Sequence, residues 1–362
     1  MRLHMLGIPH TRTTSAFSHC AFTGKVRRWA QMMAPLGYEC LHYGVGAPDS
    51  PGWNEHVEVM SPARQNELAG FDIAYPPPAK FVGDLANVGH ALYQEFNERL
   101  EALLRANVRP GDVICLPFGH GHQRAVRTMY DQCIETGIGY PTALVGYRIY
   151  ESSAWMHWHI GRENRGPWDS EWVVPNYFDV AEWPLRRTAP RQGEFVLYFG
   201  RLTPIKGLWE IVEIAKRLPD LRFVLCGQGD PAPFLAAAPN IEYHRPVHGM
   251  DRAALMHRAI CLLMPTRYVE PFGGVAVEAG LTGTPCLTSN HSAFRETMPE
   301  TLRCNHLGEW VEKIYRVMAW DRGETYELHA SMRERYSLGT CAVQYDRIFG
   351  QAARMRREGW YA

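Results

Sequence analysis

Short runs of buried-type residues alternate with helical patterns along the whole chain, and the alternation restarts after a proline-rich stretch near the middle. Strands that alternate with helices in this way build parallel sheets. The pattern therefore predicts an α/β fold with two doubly wound, Rossmann-like domains. Strands are predicted at 2–7, 38–43, 112–116, 142–146, 195–199, 222–226, 260–264 and 286–288, and helices at 23–36, 88–106, 123–136, 208–218, 251–258, 274–281 and 343–355.

The break between the two halves is a segment of linker composition. Residues 173–195 contain Pro175, Pro184, Pro190 and Gly193 beside an Arg-Arg pair, and proline and glycine interrupt regular structure. A chain of 362 residues is long enough for two domains. We therefore place an N-terminal domain at 1–183 and a C-terminal domain at 184–340, followed by a last segment at 341–362. Residues 76–78 are all proline and predict a stiff loop.

The charge balance narrows the classes of function. The formal net charge is zero and the pI is about 7.3, which excludes a histone-like or polyanion-coating protein. Residues 1–183 hold 15 basic and 19 acidic side chains, net −4, whereas residues 184–362 hold 23 and 19, net +4. The C-terminal half is thus where an anionic ligand is expected. No apolar run approaches the roughly 20 residues of a membrane span, and the nine scattered cysteines fit buried thiols, so a cytoplasmic protein is predicted.

The strongest functional motif is the segment from Glu270 to Glu278, which contains Pro-Phe-Gly-Gly between its two glutamates. It lies where a predicted strand leads into a helix, and ligands of open α/β sheets bind at this edge. Gly273 and Gly274 allow a ligand to approach the backbone, and the first N–H groups of the helix attract anions. The carboxylates would accept hydrogen bonds from sugar or ribose hydroxyls. The alternative is one capping glutamate and one that faces solvent.

Two further loops follow predicted strands in the same half. The first, Gly200-Arg201-Leu202-Thr203-Pro204-Ile205-Lys206-Gly207, carries an Arg and a Lys that can converge on a diphosphate. The second begins at Gly227 with Gly-Gln-Gly-Asp, where a close backbone approach is predicted, although such a sequence also forms ordinary turns. Together with the paired glutamates, these loops predict a site for an anionic ligand that also has hydroxyl groups.

Residues 195–298 resemble the nucleotide-sugar-binding domain of retaining glycosyltransferases of the GT-B fold, family 4 in particular. The loop at 199–207 matches the diphosphate loop of that family, and Glu270 to Pro285 follows its paired-glutamate motif. Residues 174–179 resemble the interdomain Pro-Asn-Gly-Val-Asp segment, with Tyr177 in place of the glycine. The segments 7–14 and 20–23 resemble the N-termini of glycosyltransferases carried by bacteriophages. Cys20-Ala21 stands in place of the Gly-Gly turn that family 4 has near the first helix.

The resemblance implies a fold and a set of roles. Two Rossmann-like domains would face a central cleft, with the helix in 341–362 crossing back to the N-terminal domain. Arg201 and Lys206 would bind the donor diphosphate with Gly227 close by, and Glu278 the ribose; Glu270 and the N–H groups of Phe272, Gly273 and Gly274 would hold the sugar. His120, after the strand at 112–116, maps to a histidine that faces the donor sugar. Its alternative is an ordinary buried histidine.

Other residues admit two interpretations. His120-Gly121-His122 and His157-Trp158-His159 suggest metal ligands, but no third ligand and no Asp-x-Asp is recognisable, so neither a metal nor another cofactor is expected. The tryptophans between 155 and 183 fit either interdomain packing or an aromatic platform. Four basic side chains form either a rim to the acceptor site or solvated helix faces: Lys25, Arg28, Arg124 and Arg127.

The predicted function is a retaining hexosyltransferase that moves a sugar from a UDP- or GDP-type donor to an acceptor hydroxyl. The bacteriophage resemblance suggests 5-hydroxymethylpyrimidine in DNA as the acceptor; small metabolites, lipids and glycans are the alternatives. An epimerase or hydrolase of the donor is a second enzymatic interpretation. A non-catalytic nucleotide-sugar sensor is disfavoured because all four motif residues are present: Arg201, Lys206, Glu270 and Glu278.

Overall fold

The computed structural model describes residues 1–18, 20–74 and 85–359, and two parallel sheets organise it. The first sheet has seven strands in the order β3-β2-β1-β4-β5-β6-β7, and every pairing in it is parallel. Its strands are β1 (Arg2–Leu6), β2 (Glu39–Val45), β3 (Glu55–Met60), β4 (Val113–Leu116), β5 (Cys133–Ile138), β6 (Arg148–Tyr150) and β7 (Glu171–Val173). The helices of this half are α1 (Ala21–Met33), α2 (Pro62–Ala69), α3 (Ala91–Asn107), α4 (Gln123–Val126) and α5 (Ser153–Arg162).

The second sheet has six strands in the order β10-β9-β8-β11-β12-β13, again all parallel. The chain order reverses between β8 and β11, and ligands of doubly wound sheets bind at such a reversal. The strands are β8 (Phe195–Phe199), β9 (Phe223–Cys226), β10 (Ile241–His244), β11 (Ala259–Met264), β12 (Cys286–Ser289) and β13 (Arg303–Cys304). The helices are α6 (Leu208–Arg217), α7 (Ala232–Ala237), α8 (Gly249–Arg258), α9 (Gly274–Leu281), α10 (Phe294–Thr297), α11 (Leu307–Met318), α12 (Arg322–Tyr336) and α13 (Leu338–Arg357).

The chain divides into two compact units, each built around one of the sheets. The first contains residues 1–151, 159–177 and 338–362, and the second contains residues 152–158 and 178–337. The chain passes between the units at four points, and one of them, 177/178, lies within the segment of linker composition. Helix α13 belongs to the first unit, where Tyr345 and Phe349 pack against Trp29 of α1 with ring centroids 5.0 and 6.1 Å apart.

The elements predicted from β8 to β12 agree with the structure to within two residues, and α9 agrees at both ends. Helix α13 begins at Leu338, five residues before the predicted start, and six further elements were not predicted: β10, β13, α7, α10, α11 and α12. The region between β4 and β6 differs from the sequence prediction. The helix predicted at 123–136 ends at Val126, and residues 133–138 form the fully buried strand β5. The strand predicted at 142–146 is a loop. Glu135 misled the prediction because a buried carboxyl in a strand is rare.

Hydrogen bonds from the following loop stabilise the buried carboxyl group of Glu135. The Tyr140 hydroxyl donates to it at 2.7 Å, and the backbone N–H groups of Leu144 and Val145 donate at 2.8 and 3.0 Å. The residues predicted as a strand thus serve to solvate a buried carboxyl group.

Three of the remaining predictions concern single features. Pro76 to Pro78 lie outside the described residues. Among the described residues no helix is long and apolar enough to cross a membrane. All nine cysteines lie in the described part of the chain and are free thiols.

Candidate functional site

The loops that carry the motifs meet at the carboxyl-terminal edge of the second sheet. The loop after β8 is tied to the loop after β9, because Gly200 N–H donates to the Cys226 carbonyl at 3.0 Å and Leu202 N–H to the Gln228 carbonyl at 2.7 Å. At Gly227 a Cβ atom would lie 1.7 Å from the Gly200 carbonyl oxygen, so only glycine fits there. The predicted close backbone approach at Gly227 is therefore between two loops of the protein itself.

Lys206 and Glu270, 64 residues apart in sequence, form an ion pair in this edge. The Lys206 ammonium donates to Glu270 Oε2 at 2.9 Å and to the Tyr268 hydroxyl at 2.6 Å. Both charged side chains are mostly buried, with 14 % and 11 % of their surface exposed. Burial and the neighbouring Glu270 carboxylate raise the pKa of Tyr268, so the phenol stays protonated.

Arg201 lies on the same loop as Lys206 but is exposed to solvent. Its carbonyl accepts a hydrogen bond from the Tyr198 hydroxyl at 2.6 Å, and burial raises the pKa of that phenol. The backbone of Arg201 is thus fixed while its guanidinium faces water. The two cations of this loop differ in role: one is already engaged with a carboxylate and the other is available to a ligand.

Helix α9 begins directly after the Pro-Phe-Gly-Gly segment. Gly273, at its N-cap, has a φ of +81°, and a Cβ atom there would lie 2.4 Å from the Phe294 ring. Phe272 is 2 % exposed and packs between Phe178 and Tyr336, with ring centroids 6.3 and 5.6 Å away. Buried aromatic packing and a left-handed glycine thus fix the start of α9, and the first N–H groups of a helix have no partner in a preceding turn.

Glu278, inside α9, forms an ion pair with Arg252 of α8, and both side chains are 12 % exposed. The Arg252 guanidinium also lies 4.5 Å from the centre of the Phe199 ring at the end of β8. The sequence analysis missed Arg252, because an arginine in an amphipathic helix carries no motif. Its partner is visible only when α8 and α9 are placed side by side.

These residues give the edge a definite chemistry. It combines one exposed cation, a buried Lys–Glu pair, a buried Arg–Glu pair and the N-terminus of a helix that begins with glycine. Cations and free N–H groups suit a phosphate-bearing ligand, and carboxylates suit its hydroxyl groups. All of them lie in the second unit.

His120 lies in the first unit, in the short turn Gly119–His122 after β4. Buried groups support this turn: the Gly119 N–H donates to the Tyr140 hydroxyl at 2.8 Å, and Tyr140 donates to Glu135. His120 is half-buried. His122 is fully buried, and burial together with the nearby His10 lowers its pKa to about 3.

The four basic residues predicted to form a rim are not alike. Lys25 is 3 % exposed, with its ammonium 2.5 Å from both Glu151 Oε1 and the Gly137 carbonyl oxygen. Arg28 is also buried, at 7 % exposure. The interpretation of these two side chains as part of a solvated helix face is therefore wrong.

Arg124 and Arg127 are exposed, and each forms an ion pair with a glutamate of α3. The distances are 3.1 Å from Arg124 to Glu98 and 3.3 Å from Arg127 to Glu101. This face of the molecule therefore has little unbalanced positive charge.

The histidine pairs proposed as metal ligands are not arranged as a strand would place them. His157, Trp158 and His159 lie on α5, where residues two apart point in different directions. In the described ranges 1–18, 20–74 and 85–359 there is no group of three or more His, Cys, Asp or Glu side chains that could hold a metal ion. Trp155 and Trp158 stack on one another with ring centroids 4.4 Å apart.

Comparison with known proteins finds similarity over the second half of the chain. Residues 180–306 match the family of glycosyl transferases group 1. The matched range contains both motif loops and the paired glutamates. A glycogen synthase of Mycobacterium tuberculosis is 34% identical over 138 residues, which cover 35% of this chain and 33% of that protein. The chain thus spans about a third of the length of the curated relatives it matches.

Two solved structures resemble the whole chain. AviGT4, a glycosyltransferase involved in avilamycin A biosynthesis, has a TM-score of 0.69 and 18% identity over 98% of both chains. Alr3699/HepE of Anabaena, solved in complex with UDP and glucose, has a TM-score of 0.58 and 15% identity, covering 97% of this chain and 100% of that one. These likenesses confirm the predicted fold class of two Rossmann-like α/β domains, as in GT-B glycosyltransferases.

Proposed function

We propose that the protein is a retaining glycosyltransferase that takes a sugar from a UDP- or GDP-type donor without a metal ion. The observation that carries the proposal is the meeting of Lys206, Glu270 and the N-terminus of α9 at one sheet edge. It is supported by the family match over residues 180–306, which contains all of these elements.

In this proposal the loop after β8 binds the diphosphate. Arg201 approaches from solvent as a two-pronged donor, and Lys206 contributes a point charge. Lys206 already contacts Glu270 at 2.9 Å, so one ammonium group bridges the diphosphate and the sugar-binding carboxylate. Glu270 and the N–H groups of Phe272, Gly273 and Gly274 hold the hydroxyls of the sugar.

Glu278 binds the hydroxyls of the nucleotide ribose. Arg252 acts on it as a positioning residue, because an ion pair favours the charged carboxylate and fixes its direction. The carboxylate thereby remains an acceptor for two neighbouring hydroxyl groups. Gly227 keeps the loops after β8 and β9 close enough for both to border the nucleotide.

The chemical step exchanges one bond for another at the anomeric carbon. The bond from that carbon to the diphosphate oxygen breaks, and a bond to the acceptor oxygen forms on the same face of the sugar. The acceptor proton passes to the departing diphosphate. Arg201 and Lys206 stabilise the negative charge that grows on this leaving group, and preorganised charge of this kind is a large term in catalysis. His120 contacts the sugar of the donor in the same proposal.

The acceptor is proposed as a hydroxyl of a small molecule, lipid or glycan. DNA that contains 5-hydroxymethylpyrimidine is the competing acceptor, and it would need local phosphate contacts. The burial of Lys25 and Arg28 and the pairing of Arg124 and Arg127 with glutamates speak against such contacts.

Calorimetric titration with UDP and GDP tests the donor site. Arg201→Ala should weaken binding of the preferred diphosphate by about 1.5–3 kcal/mol, the worth of a hydrogen bond to a charged group. Lys216→Ala is the matched control, since Lys216 is exposed on α6 and pairs only with Glu213 among the contacts described. Equal binding by the wild type and Arg201→Ala, or no binding of either nucleotide by the wild type, would overturn the assignment.

A digest experiment tests the acceptor. The enzyme, mixed nucleotide sugars and hydroxymethylcytosine-containing DNA are incubated, and the DNA is digested to nucleosides for mass spectrometry. We expect no added hexose on the DNA and transfer to a hydroxyl in a pool of small-molecule, lipid and glycan acceptors. A glycosylated nucleoside, with no transfer to that pool, would establish the DNA acceptor instead.

A further inference from the structure

The second unit contains a cavity of about 620 Å³ whose lining includes none of the charged residues of the site described above. It is bordered by α6, by α11 and by the residues that follow β11, β12 and β13. A volume of this size is typical of small-molecule sites. Lys206, Glu270 and Glu278 are not among its lining residues.

The second sheet places this cavity on the opposite layer from the paired-glutamate helix. Helices α6 and α11 pack on each other, whereas α9 packs against α12 and α8. The connections that run toward β10 and those that run toward β13 must cover opposite faces, because parallel crossovers are right-handed. A ligand in the cavity is therefore distinct from a ligand at α9.

An exposed tryptophan forms one wall. Trp209 on α6 is 45 % exposed, the highest value among the tryptophans that the structure describes. Its ring is braced by the edge of Phe234, with centroids 5.1 Å apart. A large flat apolar face that is held in place and left open to solvent is a stacking surface.

The charges around the cavity are balanced. Arg267 forms an ion pair with Glu210, and Glu213 pairs with Lys216 at 2.8 Å. Neither an anion nor a cation would find an unpaired opposite charge in these two pairs. The cavity therefore favours an uncharged ligand.

The rest of the wall combines polar side chains with apolar ones, which are Pro265, Cys304, Leu307 and Trp310. Asn290 donates to the Asn305 side chain at 2.9 Å, and the His291 ring lies 2.8 Å from the Thr266 carbonyl oxygen. Thr266 Oγ1 and Asn290 Oδ1 are buried with no hydrogen-bond partner among the described residues, a costly arrangement that a small shift toward a ligand hydroxyl would relieve. A purely apolar ligand would leave these groups unpaired.

We propose that this cavity is a second carbohydrate site, which binds a neutral oligosaccharide by stacking one sugar ring on Trp209 and hydrogen bonding to the asparagine pair. An aromatic face beside uncharged polar groups suits a sugar ring, which has apolar C–H faces and hydroxyl edges. The inference does not rest on the proposed transferase activity, because it uses none of the donor-site residues.

The test is direct titration of the full chain with four neutral probes: maltohexaose, cellohexaose, mannohexaose and chitohexaose. Each probe is titrated once without nucleotide and once with UDP and GDP present, so that any effect of nucleotide on its binding is measured. We expect at least one probe to bind, and Trp209→Ala to weaken that binding about tenfold or more. Tyr315→Ala is the matched control, since Tyr315 is 56 % exposed on α11 outside the cavity, and it should bind like the wild type.

Three results would overturn the proposal. They are no binding of any probe, equal binding by Trp209→Ala and the wild type, and binding that UDP or GDP abolishes. A heparin-derived hexasaccharide that binds in preference to the neutral probes would show instead that the cavity takes a charged partner. Nucleotide binding measured without the probes reports separately on the proposed function, so failure of one proposal does not imply failure of the other.

Discussion

At the scale of single residues, the two cations of the loop after β8 have different structural roles. Arg201 is exposed, whereas the Lys206 side chain is 14 % exposed and neutralises a nearly buried carboxylate. The sequence places both on an exposed loop and predicts that removing either leaves the fold intact. The buried pair changes that expectation for Lys206.

Lys206→Met should therefore lower stability as well as ligand binding. Without its partner, the Glu270 carboxylate is left buried and unpaired, which costs about 1–3 kcal/mol. Thermal unfolding should show a lower Tm for Lys206→Met and an unchanged Tm for Arg201→Ala. Identical melting of the two variants would mean that the Lys206–Glu270 pair contributes nothing to the fold.

Two buried histidines predict how stability depends on pH. Burial lowers the pKa of both His42 and His122 to about 3, below the value of about 6.5 in an unfolded chain. Between these values the unfolded chain binds protons that the folded chain does not. The free energy of unfolding should therefore fall as the pH drops from about 6.5 toward 3, by up to about 1.4 kcal/mol per pH unit for each histidine.

His122→Leu should remove the contribution of one histidine to the pH dependence of the free energy of unfolding. Neither ring nitrogen of His122 has a hydrogen-bond partner among the described residues, so an apolar side chain can replace it. Urea unfolding at several pH values should give a shallower slope for His122→Leu than for the wild type. His157→Leu, at an exposed position, is the control; a slope that is equal in all three proteins would contradict the prediction.

At the scale of elements, the turn that carries His120 depends on the loop between β5 and β6. Tyr140 accepts from the Gly119 N–H at 2.8 Å and donates to Glu135 at 2.7 Å. Tyr140→Phe breaks both hydrogen bonds without changing the ring. The turn should then open more often, and amide hydrogen exchange at residues 119–122 should become faster.

The control for this prediction is Tyr130→Phe, since Tyr130 is 36 % exposed. Exchange at residues 119–122 should match the wild type in that variant. Unchanged exchange in Tyr140→Phe would show that the turn is held by other contacts.

The same region marks where sequence reasoning failed. Seven elements from β8 to β12 follow clear apolar patterns, and α9 could be placed to the residue. Strand β5 could not be predicted. Its buried Glu135 is stabilised by hydrogen bonds from residues 140, 144 and 145, and no periodic pattern in the sequence indicates these contacts.

The candidate site could be predicted from the sequence only in part. Arg201, Lys206 and Glu270 lie on loops that follow strands, and Glu278 lies in the helix after Glu270; such positions can be read from sequence. The ion pairs that these residues form could not be predicted from the sequence. Arg252 is one of several arginines on amphipathic helices, and only the packing of α8 beside α9 brings it to Glu278.

At the scale of the whole molecule, the chain returns at its end to the unit in which it began. Helix α13 lies in the first unit, where Phe349 is 1 % exposed and packs on Trp29. Truncating a buried phenylalanine costs about 3–5 kcal/mol. Phe349→Ala should thus destabilise the first unit while binding of nucleotide diphosphate, a property proposed for the second unit, remains.

Differential scanning calorimetry and nucleotide titration of the same samples check this division. Val343→Ala, on the exposed face of α13, should melt like the wild type. Loss of nucleotide binding in Phe349→Ala at temperatures where the second unit is folded would contradict the assignment of α13 to the first unit alone.

The most direct test of the central claim is the stereochemistry of transfer in the absence of metal. The enzyme is incubated with EDTA, a set of α-linked UDP- and GDP-sugars and a mixed acceptor pool, and proton NMR follows the anomeric signal of the product. We predict an α-linked product and one nucleoside diphosphate released per sugar transferred. A β-linked product, or transfer that stops with EDTA and returns with a divalent ion, would contradict the account.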